Sequence, residues 1–188
     1  MNRKIVLAST SARRKELLER VGLVFEVVGS DYEEDMTLVL SPAELAKYLS
    51  QGKAEAVAQK YPDAIVIAAD TFICYEGKIL GKPYTPEKAR ETLHTLSGKA
   101  HSVITGFTIV ETKTGESISE AVETKVYFRD LSDQEIDDYI ATGEPLERAG
   151  AYAIQGIGKD LVDHVEGDYD NVVGLPVAAV LHALKDFE

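Results

Sequence analysis

The stretch AIVIAADTFICYEGKILGKP, residues 64–83, opens as a buried strand and runs straight into a carboxylate. Ala64 to Ala69 are apolar without a break, the pattern of a strand covered on both faces. Asp70 and Thr71 follow at its carboxyl end, the rim at which open α/β sheets hold their ligands. A carboxylate there could hold a divalent cation or take a proton from water. The plainer reading is an aspartate that bonds the backbone of the following loop. Lys82, eleven residues beyond Thr71, returns through a hairpin expected around Glu76-Gly77.

The neighbouring segments alternate strands with amphipathic helices. KIVLAS (4–9) reads as a strand feeding a helix over 12–21, and LVFEVVG (23–29) as a second strand. Ser41-Pro42-Ala43-Glu44 is a capping box opening a helix to about Lys60, with Gly52 as a weak point inside it. Thr85-Pro86 opens a helix ending near Gly98, and strands 100–112 and 117–128 pair across Thr114-Gly115. A second capping box, Ser132 to Glu135, opens a helix stopped by Gly143. Short strands near 151–156 and 160–165, a turn at Gly167-Asp168 and a helix from Pro176 complete an α/β chain with a mixed sheet.

Composition narrows the function. The 188 residues carry 20 basic and 32 acidic side chains, a net charge of −12. That field repels nucleic acid and anionic membranes, while a small polyanion in a locally basic cleft stays allowed. The single cysteine, Cys74, permits no internal disulfide and suits a reducing cytoplasm. The first apolar run is too short for a signal peptide, and none approaches the roughly 18 residues that span a bilayer. Glycine-framed apolar strands would offer a homodimer an edge, without a specific signal for one.

Several clusters carry chemistry. Ser9, Thr10 and Ser11 fall in the first strand-to-helix turn, with Arg13 and Arg14 in the first helical turn. Arginine opposes the helix dipole there, so a bound phosphate would explain it; a capping serine before a solvated basic turn is the alternative. GKILGKP (77–83) is no phosphate loop: three residues separate Gly77 and Gly81 where four are required, and Pro83 replaces the hydroxyl residue. Phe72 occupies the second position of a paired-aspartate phosphatase motif. DYEEDM (31–36) is a solvated acidic loop, or else Glu33 or Glu34 shares a cation with Asp70. Lys53 by itself reads as a surface lysine. The four histidines lack metal-ligand spacing. In ERAGAYAIQGIG (147–158) the glycines describe close approach, and the Gln155 amide is equipped to read a base edge or simply to bond nearby backbone.

Together LASTSARRKELL, the acidic pair, GKA at 52–54, AADT, LGKP, LSGKAHSVITG, GAYAIQG and GDYDNVVGLP resemble the Maf family of nucleotide pyrophosphatases, from residue 4 to about 182. The resemblance implies one domain over 1–188, with two lobes sharing one elongated mixed sheet around a cleft, similar to inosine triphosphate pyrophosphatases. It implies cytoplasmic hydrolysis of a nucleoside triphosphate to monophosphate and pyrophosphate, with Mg²⁺ or Mn²⁺. By motif, Asp70 falls at the proton acceptor and Arg13, Thr71 and Gln155 at positions of substrate choice. Thr71 with Gln155 resembles the branch acting on dTTP and UTP, rather than on 7-methyl-GTP. Ser9, Lys53 and Lys82 fall among the phosphate contacts, and Glu33, Glu34 or Asp70 at the metal. The chain has SARR where the family often has SPRR, a change expected to affect rigidity alone. A nucleotide-binding regulator of cell division that turns over little is the rival expectation, and an enzyme for modified nucleotides a third.

Overall fold

The computed structural model describes residues 3–187. Seven strands form one mixed sheet: β1 (Lys4–Ala8), β2 (Glu26–Val28), β3 (Ala64–Tyr75), β4 (Lys78–Leu80), β5 (Ala100–Glu111), β6 (Ser117–Phe128) and β7 (Val162–Glu166). Their order is β2-β1-β3-β5-β6-β7, with β4 paired to β3. β1 runs parallel to both β2 and β3, whereas β3–β4 and β6–β7 are antiparallel. The helices are α1 (Ala12–Arg20), α2 (Pro42–Ala58), α3 (Pro86–Leu96), α4 (Asp133–Ala141), α5 (Tyr169–Val173) and α6 (Val177–Leu184). Among the described residues no helix is long and apolar enough to cross a membrane. The mixed α/β class expected from the sequence is the one observed.

The chain divides into two compact units, and β3, β5 and β6 each contribute residues to both. The first holds residues up to Thr71, Thr105–Val122 and Val173 onward. Its core joins Val6 and Ala8 of β1 and Ala64, Val66 and Ala68 of β3 to Ala54 and Val57 of α2. Alternate residues of a strand share a face, so Ala64, Val66 and Ala68 form one stripe beneath α2. Asp70 is the next position of that stripe. The strand that opened as ordinary core thus delivers its carboxylate to the side where α2 lies. Small residues let that helix come close. A Cβ on Gly106 of β5 would stand 2.3 Å from the backbone carbon of Ala46. Both capping boxes form as read: Ser41 with Glu44 starts α2, and Ser132 with Glu135 starts α4.

The second unit holds Phe72–Ile104 and Glu123–Val172. At its centre the rings of His101, Phe128 and Tyr152 meet edge to face, with centroids 4.8 to 5.3 Å apart. His101 Nε2 and the Tyr152 hydroxyl lie 2.8 Å apart in a hydrogen bond. Asn171, fully buried, donates to the Val103 carbonyl at 3.0 Å and to Thr124 Oγ1 at 3.0 Å, fastening α5 to the sheet. One expectation fails in this unit. Residues 151–156 form no strand, because Gly150 and Ala151 take positive φ (63° and 59°), which extended pairing forbids. Tight 3-10 turns over Ala149–Ala151 and Ile157–Leu161 flank the segment instead. The chain does bend at Gly167-Asp168, and the residues after it wind into α5, a short helix not expected from the sequence.

Burial pushes His101 down to about 4 from an ordinary 6.5, aided by the charge of Lys125. The folded state therefore takes up its proton later than the unfolded chain as pH falls. The stability held above pH 6.5 is lost on descending toward pH 4. Between pH 7.5 and 5.5 this group alone removes about 1.4 kcal/mol. Urea unfolding of wild type and His101→Gln at the two pH values checks this, the variant showing a shallower loss. Equal losses would contradict it.

Candidate active site

Asp70 is buried at the end of the α2-facing stripe, its side chain 13% exposed. Lys53 Nζ, on α2, donates to Asp70 Oδ1 at 2.6 Å and pairs with Glu34 Oε1 at 2.7 Å. The ammonium thus bridges two carboxylates from different segments. Asp70 Oδ2 is buried with no hydrogen-bond partner among the described residues. Burial raises the Asp70 carboxyl above its usual range, and the nearby Lys53 and Arg14 charges pull the other way. A carboxylate with one fixed and one unpartnered oxygen, biased toward accepting a proton, is suited to general-base work.

Thr71, next along the extended strand, turns to the opposite face. There the half-buried Arg14 spans three segments. Its Nε donates to the Gly174 carbonyl at 2.8 Å, Nη1 to Ser9 Oγ at 3.3 Å and Nη2 to Thr71 Oγ1 at 3.1 Å. Thr71 Oγ1 also donates to the Gly174 carbonyl at 3.3 Å and lies 3.0 Å from Thr105 Oγ1. The Thr71 hydroxyl is therefore held within the protein. Burial pulls the Arg14 guanidinium below its ordinary value, against the attraction of Asp70. Ser11, not Ser9, caps α1; Ser9 is buried and accepts from the Ser11 amide at 3.2 Å. Arg13 is exposed.

Of the expected set, Asp70, Lys53 and Glu34 thus form one contact cluster within the first unit, and Thr71 and Ser9 are joined through Arg14 on the other face of the strand. Glu33 and Glu34 are both exposed, and Lys53 pairs with Glu34. Arg14, read in the sequence with Arg13 as a basic turn that a bound phosphate would explain, instead bonds Ser9, Thr71 and Gly174. Its signal was the third position of a capped helix, where the Ser11 cap orients the turn.

Lys82 and Gln155 belong to the second unit and are both exposed. Lys82 lines a shallow groove of about 300 Å³ with Lys88, Glu91 and Thr92 of α3. Gln155 sits on the loop between the two 3-10 turns, which Glu144 holds. That carboxylate accepts from the Gly158 amide at 2.9 Å, the Ile157 amide at 3.2 Å and the Tyr139 hydroxyl at 2.7 Å. A Cβ at Gly156 would collide with the Glu144 carboxylate, which would then have to shift. These donations hold Glu144 below the usual carboxylate range, although its burial opposes them.

No group of three or more His, Cys, Asp or Glu among the described residues is arranged to hold a metal ion. The donors at Lys53 still fit a hard divalent cation of the Mg²⁺ type. Two carboxylates converge, and one buried oxygen is orphaned. Magnesium commonly takes one or two protein carboxylates and completes its shell with substrate phosphates and water.

Comparison with known proteins places these residues in context. The family model described as Maf-like protein matches residues 4–187. A Bacillus cereus (strain ZK / E33L) protein named dTTP/UTP pyrophosphatase is 47% identical over 185 residues, 98% of this chain and 96% of its own length. A protein of the same name from Bacillus anthracis (strain CDC 684 / NRRL 3495) is 46% identical over 185 residues, with the same coverage of 98% and 96%. Among solved structures, the Staphylococcus aureus Ham1 protein superposes with a TM-score of 0.58 at 15% identity, covering 98% of this chain and 100% of its own. A HAM1 protein from Coxiella burnetii gives 0.51 at 15% identity, with coverage of 97% and 98%. At that identity the likeness is one of fold. Over nearly its whole length, the chain belongs to the Maf-like protein family.

Proposed function

We propose that this chain hydrolyses dTTP and UTP between the α- and β-phosphates, releasing the nucleoside monophosphate and pyrophosphate. The broader reading, a hydrolase of nucleoside triphosphate anhydrides, rests on relatives of that name at 46–47% identity. The observation that carries it is the Lys53 ammonium bridging Asp70 and Glu34 at the end of a buried strand. Asp70 takes a proton from the water that attacks the α-phosphorus, while the bond to the bridging oxygen breaks and pyrophosphate leaves. Lys53 holds Asp70 in place through Oδ1 and leaves Oδ2 to receive the proton. Glu34 and Asp70 would hold a divalent cation, Mg²⁺ or Mn²⁺, which when bound supplies positive charge against the phosphates.

Arg13 and Lys82 are the exposed cations we assign to the phosphates, and Ser9 is assigned to the same end of the substrate. Gln155 is assigned to the O4/N3–H edge of thymine or uracil. Thr71, whose hydroxyl Arg14 already engages, then acts on substrate choice by setting the Arg14–Gly174 arrangement. We read the chain as one domain whose two units share the sheet, active in the cytoplasm. The lone cysteine there, Cys74, is buried and its thiol pushed up to about 11, so it stays unreactive. The net charge of −12 disfavours nucleic acid as a partner. A homodimer is the remaining open partner.

Phosphorus NMR with a panel of triphosphates and Mg²⁺ tests the reading. Thymidine, uridine, cytidine and modified pyrimidine nucleotides belong on the panel. Monophosphate plus pyrophosphate from dTTP and UTP is the expected outcome. Orthophosphate plus diphosphate contradicts the bond chosen, and equal turnover of CTP and UTP removes the role given to Gln155. Tight binding without turnover would instead favour a nucleotide-sensing regulator.

A further inference from the structure

Gly52 stands inside α2, where glycine is the worst helix former apart from proline. The reason lies against it. A Cβ at position 52 would come within 2.3 Å of Cζ, 2.4 Å of Cε2 and 2.7 Å of Cε1 of Tyr32. The Tyr32 ring therefore packs directly on bare helix backbone. Its neighbours in the acidic loop are fastened to the same helix and its end: Asp31 accepts from Lys60 at 2.8 Å, and Glu34 pairs with Lys53 at 2.7 Å. Glu33 is exposed. Gly52 and Lys53 are adjacent on the helix, so a ring seated on the first delivers the carboxylate two residues later to the second.

We propose that Tyr32 and Gly52 form a steric key that sets the register of the acidic loop on α2, bringing Glu34 rather than Glu33 to Lys53 and Asp70. Both are positioning residues, acting through Glu34. Their bearing on turnover rests on the proposed function. The key explains a helix-weakening glycine that fold stability alone would replace, since alanine at an ordinary helix interior strengthens it. Stability is exchanged for the placement of one carboxylate.

The test uses Gly52→Ala, Tyr32→Ala and the double variant, with two readouts. The first is acetic anhydride labelling of Lys53 in the metal-free protein, read by peptide mass spectrometry. It needs neither substrate nor cation. Gly52→Ala displaces the ring, frees Glu34 and raises Lys53 labelling severalfold, while melting stays within about 3 °C of wild type. The second is kcat/KM for UTP, which falls about 10- to 100-fold, as misplacement of a site group by an ångström does. In the Tyr32→Ala background there is no ring to displace, so Gly52→Ala adds no further change in either readout. Wild-type labelling in Gly52→Ala overturns the key, because the ring has then turned aside without moving the loop. Additive losses in the double variant overturn it as well. If wild type hydrolyses no triphosphate yet Gly52→Ala still exposes Lys53, the functional reading fails and the key stands.

Discussion

Asp70→Asn lowers turnover of UTP about a thousandfold, the order expected when a general base is removed, and leaves UTP binding little changed. Asparagine keeps the shape of the carboxylate and an oxygen for the Lys53 hydrogen bond, now 2.6 Å. What it removes is the proton acceptor at Oδ2, the atom without a hydrogen-bond partner among the described residues. The variant should fold as well as wild type. It deletes a charge buried at the end of a core stripe, where desolvation opposes ionisation. Single-turnover rates and equilibrium binding of UTP, with a melting curve as control, separate the two effects. A variant that keeps more than about a tenth of wild-type turnover would show that Asp70 is not the base.

The features that could be read from sequence were those that local chemistry decides. The apolar run from Ala64 fixed β3, and Ser41-Glu44 and Ser132-Glu135 wrote their own helix starts, since a capping box is complete within four residues. Asp70 was visible because a carboxylate breaks an apolar strand. Lys53 was not visible by its own pattern. On the helix it resembles any solvated lysine, and only the docking of α2 on the sheet carries it to Asp70. Which of Glu33 and Glu34 pairs with Lys53 was likewise a tertiary matter, since residue type does not separate them. The contacts of Arg14 escaped for a related reason. Its three acceptors, Ser9, Thr71 and Gly174, lie 5, 57 and 160 residues away in the chain. The misread strand at 151–156 shows the opposite failure, an alternation of apolar and small residues overruled by positive φ at Gly150 and Ala151.

Gly106→Ala is expected to destabilise the protein by about 3 kcal/mol or more, the upper end for overpacking a core. The added methyl carbon would lie 2.3 Å from Ala46 C, 2.4 Å from Lys47 N and 2.5 Å from Ala46 O. All three are backbone atoms of α2, so no side chain can rotate out of the way; the helix must lift or β5 must bend. Either movement opens the contacts of Ala54 and Val57 with Val66 and Ala68, and strains the Ser50–Thr108 hydrogen bond of 2.8 Å. At about 2–4 °C per kcal/mol for a chain of this size, melting should fall by roughly 6–12 °C. Gly81→Ala supplies the comparison: a Cβ there meets nothing within 4 Å, and melting should move by no more than about 2 °C. A Gly106→Ala protein that melts with wild type would mean that α2 does not lie against β5 as described. The same displacement reaches the chemistry, because α2 also carries Lys53. The Gly106 variant should therefore lose turnover even well below its melting temperature, whereas a purely destabilising substitution would not. The closeness of helix to sheet that only glycine allows at 106 is thus what sets the 2.6 Å contact between Lys53 and Asp70.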